Sequence, residues 1–519
     1  MGVLRVALFM TCAGIASQAP SAADSRWELI TILHTNDTHG AVMPRNGTGG
    51  LAREATLIRQ IRAEMPNVIL LDGGDIIHGT PEDYLVGQTA TISAMNAVGY
   101  NLAVPGNHEY DFGLPTLDSV TKTAAFPFVA ANVRSASGGD ANGMKRYVVL
   151  QASGVRIGVL GLTTLDTITL HWPAAIKDIK IEDPYQTAKA LLPEVTAQSD
   201  VVVVLSHLGA AEDRKLATEV PGIDFIVGGH SHTPIEDWEW IGNTLIAQAA
   251  PYAGALGRID FIVKKSEARG QVWSVNGKGQ KWNDLAQRPL SKTYPDTPLL
   301  QVGSDVAEDE AVREAYMPYR AAADARLAEV IGQAPAAIPG RSIGADESSA
   351  ANLVADAVKA FGKSDLAVID MNGIGNRGLA AGPVTVGNVF DLIGGYTRQH
   401  IVVGQILGRD IITALNAGFA RKKVINIAIS GATVEYEPAQ GVPRVARLLI
   451  GGEVVDPDRQ YSVGAQAYVM MDAMEALLNV QILAEPAETT REALVSYIKT
   501  CGTIAAPNCD RIKKNELAQ

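Results

Sequence analysis

From Trp27 to Val263 the chain alternates short apolar runs with longer amphipathic stretches. Leu29 to Leu33, Val68 to Leu71, Arg156 to Leu160, Val201 to Leu205, Phe225 to Val227 and Ile259 to Val263 have the length and β-branched content of buried strands. Between several of them the period is helical: over Leu51 to Met65, the side chains of Leu51, Ala55, Ile58 and Met65 fall on one face. Strand followed by helix, repeated, predicts a layered α/β domain. Polar motifs follow the C-terminal ends of these runs. Open α/β sheets place ligands at that edge, so a site can be assembled there from separate loops.

Beyond the last run, residues 264 to 300 are polar and irregular and predict no regular element. Asp305 to Ile331 is rich in Ala, Glu and Arg, with Pro318 its only helix breaker, and predicts a helix joining two domains. A second α/β region begins near Ile338, with a helix over Ser348 to Phe361 and strands at Leu366 to Ile369 and His400 to Gln405. With 519 residues the chain exceeds one ordinary core. The expected division is therefore 27–300, a linker helix over 301–337, and a C-terminal domain over 338–519.

Arg5, the apolar run Val6 to Ala16 and the small residues around Pro20 to Ala23 predict an export signal over 1–23, leaving a periplasmic or extracellular protein. The run is too short to span a bilayer, and no later stretch is long and apolar enough to do so. Cys501 and Cys509 are then the remaining cysteines, and in an exported chain they are expected to pair, with free thiols as the alternative. A formal charge of −12 without clustered Lys and Arg excludes a binder of nucleic-acid polymers. A small anionic substrate would need local positive charge, which bound metal ions can supply.

Five of the nine histidines fall in compact motifs: Thr35-Asn-Asp-Thr-His39, Gly106-Asn-His-Glu-Tyr-Asp111, Ser206-His207 and Gly229-His-Ser-His232. Asp75 closes Asp72-Gly-Gly-Asp75. Carboxylate, imidazole and amide oxygen suit borderline divalent ions such as Zn²⁺, Mn²⁺, Fe²⁺ or Co²⁺, and no cysteine favours a thiolate site. One Asp-x-His or His-x-His alone is commonly an exposed turn. Several such motifs, each behind an apolar run, fit a dinuclear centre. His34, His78, His171 and His400 lack that company and read as structural, although His78 is near enough to Asp75 to line the site.

This order of motifs resembles the calcineurin-like metallophosphoesterases, and the phrases "ILHTNDTHG", "LLDGGD", "GNHEYDFG" and "GGHSH" are similar to the 5′-nucleotidase and UDP-sugar hydrolase family. The resemblance implies a four-layer α/β/β/α sandwich, joined by a helix to a smaller α/β domain that binds substrate. It implies Asp37, His39 and His232 on one ion, Asn107, His207 and His230 on the other, and Asp75 as the bridge. His108 would be the catalytic histidine and Asp111 the carboxylate that orients it. Two ions polarise phosphoryl oxygens and make hydroxide available near neutral pH, while a carboxylate-paired histidine protonates the leaving oxygen.

In the second domain Asn372-Gly-Ile-Gly-Asn-Arg377 resembles the family's substrate-facing segment, making Asn372 and Arg377 candidates to contact substrate, Arg377 through the phosphate. Two family segments that hold the base differ. Tyr396-Thr-Arg-Gln399 stands for Pro-Phe-x-Asn, and Val469-Met-Met-Asp-Ala-Met474 for Gly-Gly-Asp-Gly-aromatic, with Tyr468 close to the second stacking position. The expected function is a metal-dependent 5′-nucleotidase. The alternatives are a hydrolase of sugar phosphates, nucleotide-sugars or other small phosphoesters, and a solute-binding protein with an inactive metal site.

Overall fold

The structure is a computed structural model and describes residues 27–65, 67–264, 271–275, 297–342, 346–394, 400–477, 480–485 and 488–515. The segment read as an export signal and the Tyr396 segment lie outside these residues.

Two sheets stack face to face in the N-terminal domain. The first runs β13 (Gln271–Val275), β12 (Ala255–Lys264), β1 (Trp27–Thr35), β2 (Val68–Asp72) and β3 (Leu102–Ala103), with β14 (Leu299–Gln301) also paired to β12. The second runs β10 (Glu239–Ile241), β11 (Thr244–Gln248), β9 (Phe225–Gly228), β8 (Val201–His207), β6 (Val155–Thr163) and β5 (Tyr147–Ala152). A separate ladder joins β4 (Val133–Ser135) to β7 (Ile179–Ile181). Every residue of β8 is buried, as expected of a strand covered on both faces. Between the sheets Ile30, Ile32, Ile69 and Leu71 meet Ile157, Val159, Val203 and Phe225 in one core.

On the outer side of the first sheet lie α1 (Leu51–Glu64), α3 (Thr89–Val98) and α4 (Leu114–Thr123), with the short α2 (Pro81–Leu85) in the loop after β2. A further short helix, α5 (Asp166–Leu170), follows β6, and α6 (Pro184–Gln198) and α7 (Ala210–Glu219) cover the second sheet. The result is the expected α/β/β/α order. The polar stretch 264–300 is less irregular than its composition predicts, because β13 and β14 both extend the first sheet. Pairing to a strand already in place, rather than local propensity, orders them.

The helix predicted over Asp305 to Ile331 is observed at Glu310–Leu327, capped by the Asp309 carboxylate, which accepts from the Val312 amide. Its Val312 and Tyr316 pack into the core beneath α1 and α3, so it adheres to the first domain before the chain leaves it. The second domain has a five-stranded sheet ordered Ile427–Ser430, Leu366–Asp370, Gln460–Gln466, Ile401–Leu407 and Gln481–Ala484. Helices Ser349–Gly362 and Thr490–Cys501 pack on one face, and Gly408–Lys422 with the hairpin Ala432–Ala439/Val442–Ile450 on the other. The expected disulfide is not formed: Cys501 and Cys509 are free and exposed, the latter beside the Ser349 hydroxyl. Among the described residues no helix is long and apolar enough to cross a membrane.

Candidate metal centre

The neighbouring strands β1 and β2 run parallel, as do β2 and β3, β6 and β8, and β8 and β9. Their C-terminal ends therefore open on one edge, and the residues that follow converge there. Asp37 and His39 leave β1, Asp75 leaves β2, Asn107 follows β3, His207 ends β8, and His230 and His232 follow β9. Asp37, His39, Asp75, His230 and His232 all adopt left-handed backbone, with φ between 47° and 77°. Such conformations are costly for non-glycine residues and persist only where surrounding contacts impose them. Gly106 lets two of these loops meet, since a Cβ there would stand 2.1 Å from Asp75 Oδ1.

Of the three groups able to hold a metal ion among the described residues, two share one carboxylate. The first is Asp37, His39, Asp75 and His232; the second is Asp75, His207 and His230. His39 Nε2 lies 3.0 Å from His232 Nε2, His232 Nε2 lies 3.6 Å from Asp37 Oδ1, and His207 Nε2 lies 3.2 Å from Asp75 Oδ2. Asp37, His39, Asp75, Asn107 and His207 are buried, whereas His230 and His232 border the opening.

The donors fit a pair of divalent ions. His39 Nδ1 donates to the His78 carbonyl and His207 Nδ1 to the Gly73 carbonyl, which directs both Nε2 atoms into the site. Asn107 Oδ1 is buried without a hydrogen-bond partner, an expensive state for an acceptor unless a cation meets it. Burial would lower the His207 pKa, but the adjacent Asp75 outweighs it and pushes it up to about 10. Burial alone would raise Asp75, yet His207, His108 and His39 hold it well below the carboxylate range. The Asp75 carboxylate thus draws positive charge towards itself, a demand that a divalent ion would also meet.

Beside it, His108 Nδ1 donates to Asp111 Oδ2 at 2.5 Å. The backbone amide of His108 donates to Asp75 Oδ1 at 2.9 Å, tying the pair to the shared carboxylate. Burial would lower His108, but Asp111 and Asp75 raise it to about 9. For Asp111 burial would raise the pKa, and His108 and His78 together hold it well below its ordinary value.

Two histidines that read as structural prove to be part of this arrangement: His78 Nδ1 reaches Asp111 Oδ2 at 2.6 Å, and His171 Nε2 reaches Asp111 Oδ1 at 2.8 Å. Proximity to Asp75 in the sequence hinted at His78, and nothing local marked His171. Glu109 was also missed, although it lies inside the Gly106 to Asp111 motif. Its carboxylate accepts from the Asp75, Ile76 and Gly106 amides and so joins the two loops.

In the second domain Asn372 and Tyr468 line one cavity of about 380 Å³, together with Thr169 of the first domain and Asp370, Arg421 and Asp472. Arg377 is exposed and is not part of that lining. Val469 to Met474, the stretch read as standing for Gly-Gly-Asp-Gly-aromatic, lies in the helix Ala467–Ala476.

The sequence model described as calcineurin-like phosphoesterase matches residues 30–234, and that of the 5′-nucleotidase C-terminal domain matches residues 330–478. Fold and site together define a metal-dependent phosphoric ester hydrolase. The chain is 28% identical over 508 residues to a 5′-nucleotidase of Vibrio vulnificus, covering 90% of this chain and 89% of that one. It is 27% identical over 521 residues to Protein UshA of Escherichia coli, with coverage of 91% and 90%. The crystal structure of a 5′-nucleotidase precursor from Thermus thermophilus superposes with a TM-score of 0.66 at 25% identity, over 94% of this chain and 100% of that one. The chain thus combines a calcineurin-like phosphoesterase domain with a 5′-nucleotidase C-terminal domain.

Proposed function

We propose that the protein is an exported 5′-nucleotidase with two divalent ions, releasing phosphate from nucleotides. The observation that carries this reading is the pair of ligand groups sharing Asp75, with His108 held against Asp111 beside them. Asp37, His39, Asp75 and His232 would hold one ion and Asp75, Asn107, His207 and His230 the other. Bound there, Zn²⁺, Mn²⁺, Fe²⁺ or Co²⁺ would neutralise phosphoryl charge and supply hydroxide near neutral pH.

The chain's own residues do the rest. Asp111 fixes the tautomer of His108 by taking its Nδ1 proton in a hydrogen bond, leaving Nε2 to deliver a proton to the leaving oxygen. Asn372, Tyr468 and Arg377 would contact substrate, the first two from the shared cavity. Domain limits of 27–300, 301–337 and 338–519 accompany this reading, and the apolar run Val6 to Ala16 supports export.

A second reading, hydrolysis of a non-nucleotide phosphoester or nucleotide-sugar, is favoured by one observation: the cavity wall at Tyr468 to Asp472 is helical, with Met471 and charged side chains in place of a glycine-rich aromatic segment. The test compares AMP with an equally charged alkyl phosphate on the metal-loaded enzyme. A stacked base is worth on the order of 1–3 kcal/mol, so a nucleotidase should prefer AMP by about tenfold or more in kcat/KM, and Tyr468→Ala should erase most of that preference. Hydrolysis of the alkyl phosphate with no cleavage of any nucleotide would favour the second reading.

A further inference from the structure

A buried carboxylate is a good orienting group only if it is itself held, and the geometry around Asp111 shows what holds it. Oδ2 receives two donors from its own side of the site, His108 Nδ1 at 2.5 Å and His78 Nδ1 at 2.6 Å. The torsion that sets an aspartate carboxylate is soft and roughly two-fold. Donors on one oxygen alone therefore leave the group free to swing. The other oxygen, Oδ1, is met by His171 Nε2 at 2.8 Å, while His171 Nδ1 donates to the Thr167 carbonyl at 2.8 Å. The imidazole is buried and fixed at both nitrogens.

His171 comes from a different strand end than Asp111, on the loop that carries α5 beyond β6. Next to it, Trp172 packs into the apolar core of the second domain and donates its indole N–H to Glu485. The loop is thus anchored immediately beyond the histidine. His78, His108 and Asp111 are also residue types that can bind a metal. The 2.5 and 2.6 Å separations are hydrogen-bond lengths, however, with both imidazoles meeting the one oxygen Oδ2.

We propose that His171 is a positioning residue that pins the second oxygen of Asp111 and, through it, the angle at which His108 meets the leaving group. The role rests on the acid function proposed for His108. His171 also lines a cavity of about 300 Å³ beside Asp111, with Trp172, His400 and Tyr468, so direct contact with substrate is the competing role.

The test uses the full-length, metal-loaded enzyme with an alkyl phosphate, whose leaving oxygen needs a proton, and p-nitrophenyl phosphate, whose leaving group does not. His171→Leu should lower kcat on the alkyl ester roughly tenfold, in the range lost when supporting partners of site residues are removed, and on the nitrophenyl ester by less than about threefold. Metal content and both KM values should stay unchanged, and His171→Leu added to His108→Ala should cost nothing further. His171→Gln, whose amide reaches the Nε2 position, should restore most of the activity, whereas His171→Asn is too short to do so. If the leucine variant does not fold, this Gln and Asn pair decides. Equal losses on both esters, a raised KM, or an additive loss in the His108→Ala background would overturn the role of His171. A His108→Ala enzyme that loses both esters equally would instead remove the acid function itself.

Discussion

Replacing Glu54 by glutamine removes a carboxyl group that the fold buries completely on α1, behind the β1 and β2 ends that carry Asp37 and Asp75. Neither Glu54 oxygen has a hydrogen-bond partner, while the neighbouring Asp72 accepts from the Thr35 hydroxyl and the Gly74 amide. Burial first, and then the Asp72 charge, raise Glu54 from 4.5 to about 8. The folded protein therefore holds a proton on Glu54 that the unfolded chain releases. Stability from this group is complete below about pH 4.5 and is lost as pH rises towards about 8. At about 1.4 kcal/mol for each tenfold change in proton affinity, most of that gap is crossed between pH 5 and 8, on the order of 3 kcal/mol. Urea unfolding followed by tryptophan fluorescence at pH 5 and pH 8 measures it. Wild type and Glu54→Gln should be similar at pH 5, and the variant should be more stable by that margin at pH 8, with metal content unchanged. Parallel pH slopes in the two proteins would refute a protonated, unpartnered Glu54.

Asp75→Ala should lose both ions, since its carboxylate belongs to both ligand groups, and exhaustive chelation of the wild type should abolish turnover. Two ions per chain in that variant by elemental analysis, or full activity after chelation, would contradict the shared-carboxylate arrangement. His108→Ala should fold and keep its metal, yet lose roughly 10²–10⁴-fold in kcat on alkyl phosphates, the usual scale of general acid catalysis. A steady-state comparison at saturating substrate decides it, and a loss below tenfold would take the proton-donating role away from His108.

The apolar runs of the first domain were legible because a strand buried on both faces, such as Val201 to Leu205, needs an almost unbroken β-branched stretch wherever it is placed. The candidate ligands stood out for a similar reason: Asp37 with His39, and His230 with His232, lie within a few residues of a strand end, so the motif and the loop are the same object. The division of the candidates into two groups around Asp75 came from the resemblance to phosphoesterases, and the structure clusters the same carboxylates and histidines around Asp75. What spacing could not report were contacts between separate loops. His171 is 60 residues from Asp111, on the loop after β6 of one sheet while Asp111 follows β3 of the other, and the stacking of the two sheets with the anchoring of Trp172 in the second domain brings the two to 2.8 Å. β13 reads as irregular because its order comes from the free edge of β12 rather than from its own composition. The Cys501 and Cys509 thiols stay apart because the helix that ends at Cys501 and the segment through Cys509 follow separate packing constraints. Asn372 and Tyr468 share a cavity while Arg377 lies outside it, since a candidate contact in a turn is aimed by the packing around that turn. Sequence determined which chemistry the chain carries, because ligand types and strand patterns are local. The tertiary structure decided which side chains hold that chemistry in place, because holding depends on distances between segments that no local pattern encodes.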